Sequence, residues 1–142
     1  MKVLILCTGN SCRSQMAHGF LQSFDDTLYV RSAGTFATGK VNPRAIEVMK
    51  ESGIDISAHT SDPVENYLTE EWDYVITVCD GARETCPYFS GNVKHRIHIG
   101  FEDPSFVTGS DEYIIGEFRR VRDRIKDAFW QFYSENIKGN DA

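Results

Sequence analysis

The sequence predicts an α/β fold built on a parallel sheet. Four short β-rich segments, residues 2–6, 28–32, 73–79 and 95–99, alternate with stretches whose apolar residues recur at helical spacing. A length of 142 residues fits one domain, spanning 1–142, with enough chain to bury a core. A hydrophobic share of 41% and a charged share of 25% are those of an ordinary globular protein.

The first strand is the run from Val3 to Leu6 and its flanks. The first helix starts near Ser14, with Met16, Ala17, Phe20, Leu21 and Phe24 at helical spacing. After the second strand, Asn42 and Pro43 read as a cap followed by a proline in the first helical turn, and Gly53 ends that helix. A third helix is expected near Asp62 and Pro63, before the third strand. The last helix runs from about Asp111 to Asn136, with Phe118, Val121, Ile125, Phe129 and Phe132 on one side. Its many charges read as a solvated face. No internal repeat, low-complexity tract or long linker interrupts this pattern.

Charge and cysteine content narrow the function. Fifteen basic against 21 acidic residues give a formal net charge of −6, a poor match to nucleic acid or an anionic membrane. An acidic protein that binds an anion must build its positive field locally. The N-terminal apolar run is too short for a signal-peptide core or a membrane span, and nothing later approaches 18 apolar residues, so a cytoplasmic setting is expected. Thiols stay reduced there. The four cysteines, Cys7, Cys12, Cys79 and Cys86, therefore point to catalysis or transient redox chemistry more than to structural disulfides. No CxxC spacing occurs, and His59, His95 and His98 show no ligand spacing with cysteine, so no metal is expected.

Residues 7–14, CTGNSCRS, follow the first strand and precede the first helix. At such a turn the backbone N–H groups converge, reinforced by the helix N-terminus, and together cradle an oxyanion. The expected cradle is Thr8, Gly9, Asn10, Ser11, Cys12, Arg13 and Ser14. Gly9 is expected to take backbone angles that a side chain would resist. Asn10 tolerates left-handed geometry and can hydrogen-bond across the loop. Arg13 offers a planar pair of donors to two oxygens of phosphate or arsenate. The same donors, with the Ser14 hydroxyl, should depress the pKa of Cys7 and make it a nucleophile facing the anion's central atom. Cys12 is close enough to Cys7 for an adventitious disulfide, but is expected to pack beneath the loop without a catalytic role.

The strand–CTGNSCRS–helix unit resembles the low-molecular-weight tyrosine phosphatase superfamily, and within it the thioredoxin-coupled arsenate reductases. The resemblance extends over residues 7–17, 32–34, 42–57, 59–62, 77–87, 100–104 and 118–125. It implies a four-stranded parallel sheet of order 2-1-3-4 flanked by helices, with the loop where the strand order reverses. It also implies Asp103, in the Asp103-Pro104 loop after the fourth strand, as the acid that protonates the departing oxygen. On spacing alone Asp103 could equally be a turn-initiating residue. Glu102 is the weaker candidate.

The resemblance further implies roles for Cys79 and Cys86. Cys7 attacks arsenate, Cys79 attacks the sulfur of the adduct and releases arsenite, and Cys86 moves the disulfide to Cys79–Cys86 for reduction by thioredoxin. Seven helical rises would hold residues 79 and 86 roughly 10 Å apart. Disulfide-bonded Cα atoms lie within about 7 Å, so this segment must loop or unwind when the bond forms. Relatives often hold potassium with residues matching Asn10, Ser32, Asp62 and a glutamate on the first helix. Here His18 stands at that helix position, and an imidazole is a poor substitute for a carboxylate at an alkali-metal site. Neither metal nor cofactor is therefore expected.

Two other readings compete. A low-molecular-weight phosphatase hydrolysing phosphoesters through a Cys7 thiophosphate needs only Cys7, Arg13 and Asp103, and leaves Cys79 and Cys86 idle. Phosphotyrosine-specific relatives commonly place aromatics directly after the Asp-Pro; here Ser105 precedes Phe106, which could equally anchor the core. A non-catalytic oxyanion or arsenical sensor would use the thiols but gives no reason for the acid.

Overall fold

The computed structural model describes residues 1–81 and 86–138. Four strands, β1 (Lys2–Cys7), β2 (Tyr29–Gly34), β3 (Trp72–Thr77) and β4 (Val93–His98), form one sheet of order β2-β1-β3-β4. All three pairings are parallel. Cys7 lies opposite Gly34, Leu6 opposite Thr77, and Thr77 opposite His98, so the ends of all four strands open on one edge. The expected order and pairing are as observed.

Among the described residues, three α-helices complete the fold: α1 (Arg13–Phe24), α2 (Pro43–Glu51) and α3 (Asp111–Asn136). The Asn42 side chain accepts the Arg44 N–H at 2.8 Å, and Gly53, at φ 79°, turns the chain out of α2. Ser110 caps α3 by accepting the Tyr113 N–H, with Asp111 and Glu112 in the positive first turn.

Alternation along β1 feeds two cores. Val3, Ile5 and Cys7 face a larger cluster with Met16, Phe20 and the expected α3 stripe of Phe118, Val121, Ile125, Phe129 and Phe132. Leu4 and Leu6 face the opposite side, with Ala33, Tyr67, Trp72, Val75 and Phe89. That second side holds the main departure from expectation. In place of a helix near Asp62–Pro63 there is a single 3₁₀ turn, Val64–Tyr67. Four residues separate this turn from Trp72, where β3 begins. The turn is fixed by its side chains: Trp72 Nε1 donates to the Tyr67 carbonyl at 3.1 Å, and the Tyr67 hydroxyl donates to Asp62 at 2.8 Å.

β4 is one of the two edge strands, and Lys94, His95 and Arg96 on it are exposed. Charges there oppose pairing with another chain's edge. No helix among the described residues is long and apolar enough to cross a membrane.

Candidate active site

The loop 7–14 leaves β1, the strand at which the sheet order reverses, and enters α1 directly. Its carbonyls are held from outside. Phe36 N–H donates to the Thr8 carbonyl (2.9 Å), Thr38 N–H to Gly9 (3.0 Å), the Gln15 side chain to Asn10 (3.0 Å) and Asn42 N–H to Ser11 (2.8 Å). In a trans peptide the N–H points opposite to the C=O, so these anchors turn the following amides toward the inner side of the loop. α1 adds to this donor field, because Cys12 at its N-cap makes no side-chain capping bond and its first turn holds no acidic residue.

The left-handed residue of the loop is Asn10, at φ 48°, as its amide chemistry allows. Its Nδ2 donates to Ser14 Oγ at 2.8 Å, bracing the loop across its width, and its Oδ1 accepts the Asp62 N–H at 2.9 Å. Gly9, expected to carry the unusual backbone angles, does not have a left-handed φ. Its lack of a side chain serves close packing, since a Cβ there would lie 3.3 Å from Thr38 Cγ2. The glycine with the stricter requirement is Gly34, at the end of β2. A Cβ at that position would collide with the Thr8 carbonyl oxygen and come within 3.0 Å of the Asn10 nitrogen.

Arg13 is the first residue of α1 and is almost wholly buried. Its Nη1 donates to the Phe101 carbonyl at 3.0 Å, and its Nη2 lies 3.3 Å from Asp103 Oδ2. A guanidinium held in this way supplies the local positive field that an acidic protein otherwise lacks. Of the two roles weighed for Asp103, the turn is visible in its hydrogen bonds. Oδ1 accepts from the Ser105 backbone N–H (2.9 Å) and hydroxyl (2.6 Å), which is the turn, while Oδ2 faces Arg13. Glu102 is turned away to Arg120 and Arg124 on α3, at 2.8 and 3.2 Å. Phe106 is 78% exposed, so it is not a core anchor.

Cys7 and Cys12 are buried and take part in no disulfide. Cys12 packs in the larger core as expected; burial raises its pKa, Asp103 and Cys7 add to the rise, and Arg13 opposes it. Cys79 and Cys86 form a disulfide with Cα atoms 5.7 Å apart. That is far below the helical separation, in line with the expected looping of the segment, whose middle, 82–85, lies outside the described residues.

His18 occupies the edge of the site as part of a histidine pair. Its Nδ1 is 3.0 Å from Ser32 Oγ, and its ring stacks on His59 at 4.3 Å. Burial, reinforced by His59 and Arg31, lowers the His18 pKa to about 3, so the ring is neutral. His59 reaches Gln15 Oε1 at 3.0 Å, and Gln15 in turn donates to the Thr60 and Asn10 carbonyls. This chain of contacts through Gln15 was not legible in the sequence. The same holds for His98: sequence spacing separates it from the cysteines, yet a ring nitrogen of His98 lies within 4.8 Å of both the Cys79 and Cys86 sulfurs.

Known proteins share the sequence pattern and the fold of this chain. An arsenate reductase of Halalkalibacterium halodurans is 49% identical over 124 residues, covering 87% of this chain and 88% of that protein. One from Staphylococcus aureus strain Newman is 48% identical over 133 residues, covering 93% and 95%. A solved structure of an arsenate reductase in its phosphate-binding state superimposes with a TM-score of 0.78 at 34% identity, covering 94% of this chain and 97% of that one. A low molecular weight protein tyrosine phosphatase from Bacillus subtilis gives 0.69 at 26% identity, over the whole of both chains. The profile of the low molecular weight phosphotyrosine protein phosphatases matches residues 2–141, and the chain belongs to that family.

Proposed function

We propose that this protein reduces arsenate to arsenite. Loop 7–14 binds the oxyanion through its backbone amides and the Arg13 guanidinium, which also accounts for phosphate as an analogue. Cys7 attacks arsenic, and Asp103, whose Oδ2 lies 3.3 Å from Arg13, protonates the departing oxygen. Cys79 then attacks the Cys7 sulfur. The electron pair of the S–As bond passes to arsenic, arsenite leaves, and a Cys7–Cys79 disulfide remains. Cys86 attacks Cys79, freeing Cys7 as a thiolate and forming Cys79–Cys86. An external dithiol closes the cycle by reducing that bond. We assign this role to thioredoxin, and the cycle to a reducing cytoplasm, where Cys7 and Cys12 stay reduced.

The observation that carries the reading is the Cys79–Cys86 disulfide, on a segment that leaves the sheet edge beside the loop. A phosphatase cycle through Cys7, Arg13 and Asp103 has no step for that pair. Weak phosphatase activity is nonetheless expected, because nucleophilic attack on a bound oxyanion is common to both reactions.

Reduced protein mixed with arsenate and no reductant should yield one arsenite and lose two thiols. Cys86→Ser should give at most one turnover and stop with Cys7 linked to Cys79, as peptide mapping would show. Wild-type protein that cleaves an aryl phosphate rapidly and forms no arsenite would overturn the reading.

A further inference from the structure

On the same sheet edge as the oxyanion loop, at the ends of β3 and β4, the cysteine pair meets a histidine with no part in the cycle so far. Cys79 is completely buried, whereas Cys86 is partly accessible and His98 is exposed. An attacking thiol therefore reaches Cys86, and the sulfur that must leave is Cys79. A thiolate expelled into an apolar interior is costly unless it receives a proton or a counter-charge.

His98 is held where it can supply that proton. Thr77 Oγ1 lies 2.7 Å from Nδ1, which fixes the ring from behind. Nε2 is on the sulfur side: a Cβ built on Gly81 would stand 3.9 Å from both Nε2 and Cys86 Sγ. Gly100 keeps the position clear, since a Cβ there would be 2.8 Å from Nε2 and 2.9 Å from the Cys79 carbonyl. A hydroxyl can either donate to Nδ1 or accept from it, so Thr77 can hold the ring with or without the Nε2 proton. The ring also borders a cleft of about 460 Å³ lined with Asp80, Gly81, Gly100, Glu102 and Arg124, through which protons and an attacking thiol have access.

We propose that His98 is the acid–base group of the Cys79–Cys86 pair. The proposal rests on the reductase cycle and adds proton transfers to its last two steps. When Cys86 attacks Cys79, the Cys86 S–H proton passes to Nε2 as the Cys79–Cys86 bond forms and the Cys7–Cys79 bond breaks. When a thiolate of an external dithiol attacks Cys86, the Cys79–Cys86 bond breaks and Cys79 leaves, taking the proton from Nε2. The second thiol of the dithiol then displaces Cys86 from the mixed disulfide. Two electrons have passed from the dithiol, which is left oxidised, to the cysteine pair.

The test follows reduction of the oxidised protein by dithiothreitol, without arsenate, through the appearance of free thiols in stopped flow from pH 6 to 8.5. His98→Ala should slow the step by roughly tenfold or more, and free imidazole should restore it, which a purely structural role would not permit. His98→Gln, which can keep a hydrogen bond to Thr77, should be equally slow and unrescued. It serves as the test if the alanine variant does not fold. The wild-type pH profile should carry a one-proton transition that the variants lose; the charged groups facing His98 are Asp80, Glu102 and Arg124 across the cleft and Arg96 on its own strand. Variants that react at the wild-type rate, or slow variants that imidazole cannot rescue and whose pH profile is unchanged, would overturn the proposal. Arsenite formation by wild-type protein is scored separately: its absence defeats the reductase cycle, whereas its presence with fast His98 variants defeats only the role of His98.

Discussion

Asn10 and Gly34 show how single side chains fix the oxyanion loop. Asn10 accepts a left-handed φ of 48° and offsets it with one hydrogen bond across the loop to Ser14 and one from the Asp62 N–H outside it. Gly34, on the neighbouring strand, leaves the space through which the Thr8–Asn10 backbone passes. Gly34→Ala should therefore push the loop outward. We expect a stability loss of about 1–3 kcal/mol by urea titration, as for other overpacked sites. The arsenate kcat/KM should fall further than stability alone predicts, by roughly a hundredfold, since a shift of about 1 Å in a reacting group has that effect. Unchanged arsenate kinetics would show that the loop does not depend on this clearance. The importance of Gly9 and Asn10 was legible in the CTGNSCRS run, but the reason for Gly9 was not. Which glycine must lack a Cβ depends on the strand lying against the loop, and no local spacing encodes that neighbour.

Among the elements, α3 links the core to the site. Phe129 is fully buried on its apolar stripe, with ring centroids 6.5 Å from Phe101 and 6.3 Å from Phe132. Phe101 in turn offers its carbonyl to Arg13. Phe129→Ala should lower stability by about 3–5 kcal/mol, visible as a lower Tm, and should also raise the arsenate KM as Phe101 loosens. A stability loss with an unaltered KM would separate the core from the site. The α3 stripe was plain in the sequence, because apolar residues at helical spacing over 26 residues admit few other folds. The 3₁₀ turn at Val64–Tyr67 was not plain. A capping-type Asp-Pro opens a helix or a turn equally well, and here the Trp72–Tyr67 hydrogen bond chose the turn.

At the scale of the molecule, the histidine pair beside the loop couples folding to pH. His18 titrates at about 3 when folded, against about 6.5 when unfolded, and burial lowers His59 as well. Between those values the unfolded chain binds the extra proton. Stability is therefore full above about pH 6.5 and is lost as pH falls toward 3, by at most about 1.4 kcal/mol per pH unit from His18. His18→Gln should flatten this slope, measured as the change in urea midpoint between pH 7 and 4.5, while variant and wild type keep the same carboxylates. An equal slope in both would mean that His18 is not held neutral. Alternation of strands and helices, the order of the sheet and the identities of Cys7, Arg13, Asp103, Cys79 and Cys86 as candidates were determined by the sequence itself, through periodicity, motif and family resemblance. Only the tertiary structure decided that Asp103 meets Arg13, that His18 stacks on His59, and that His98 stands beside Cys79 and Cys86. The physical reason is that a parallel sheet gathers the ends of distant segments at one edge, and contacts made there depend on strand register, which local spacing does not record.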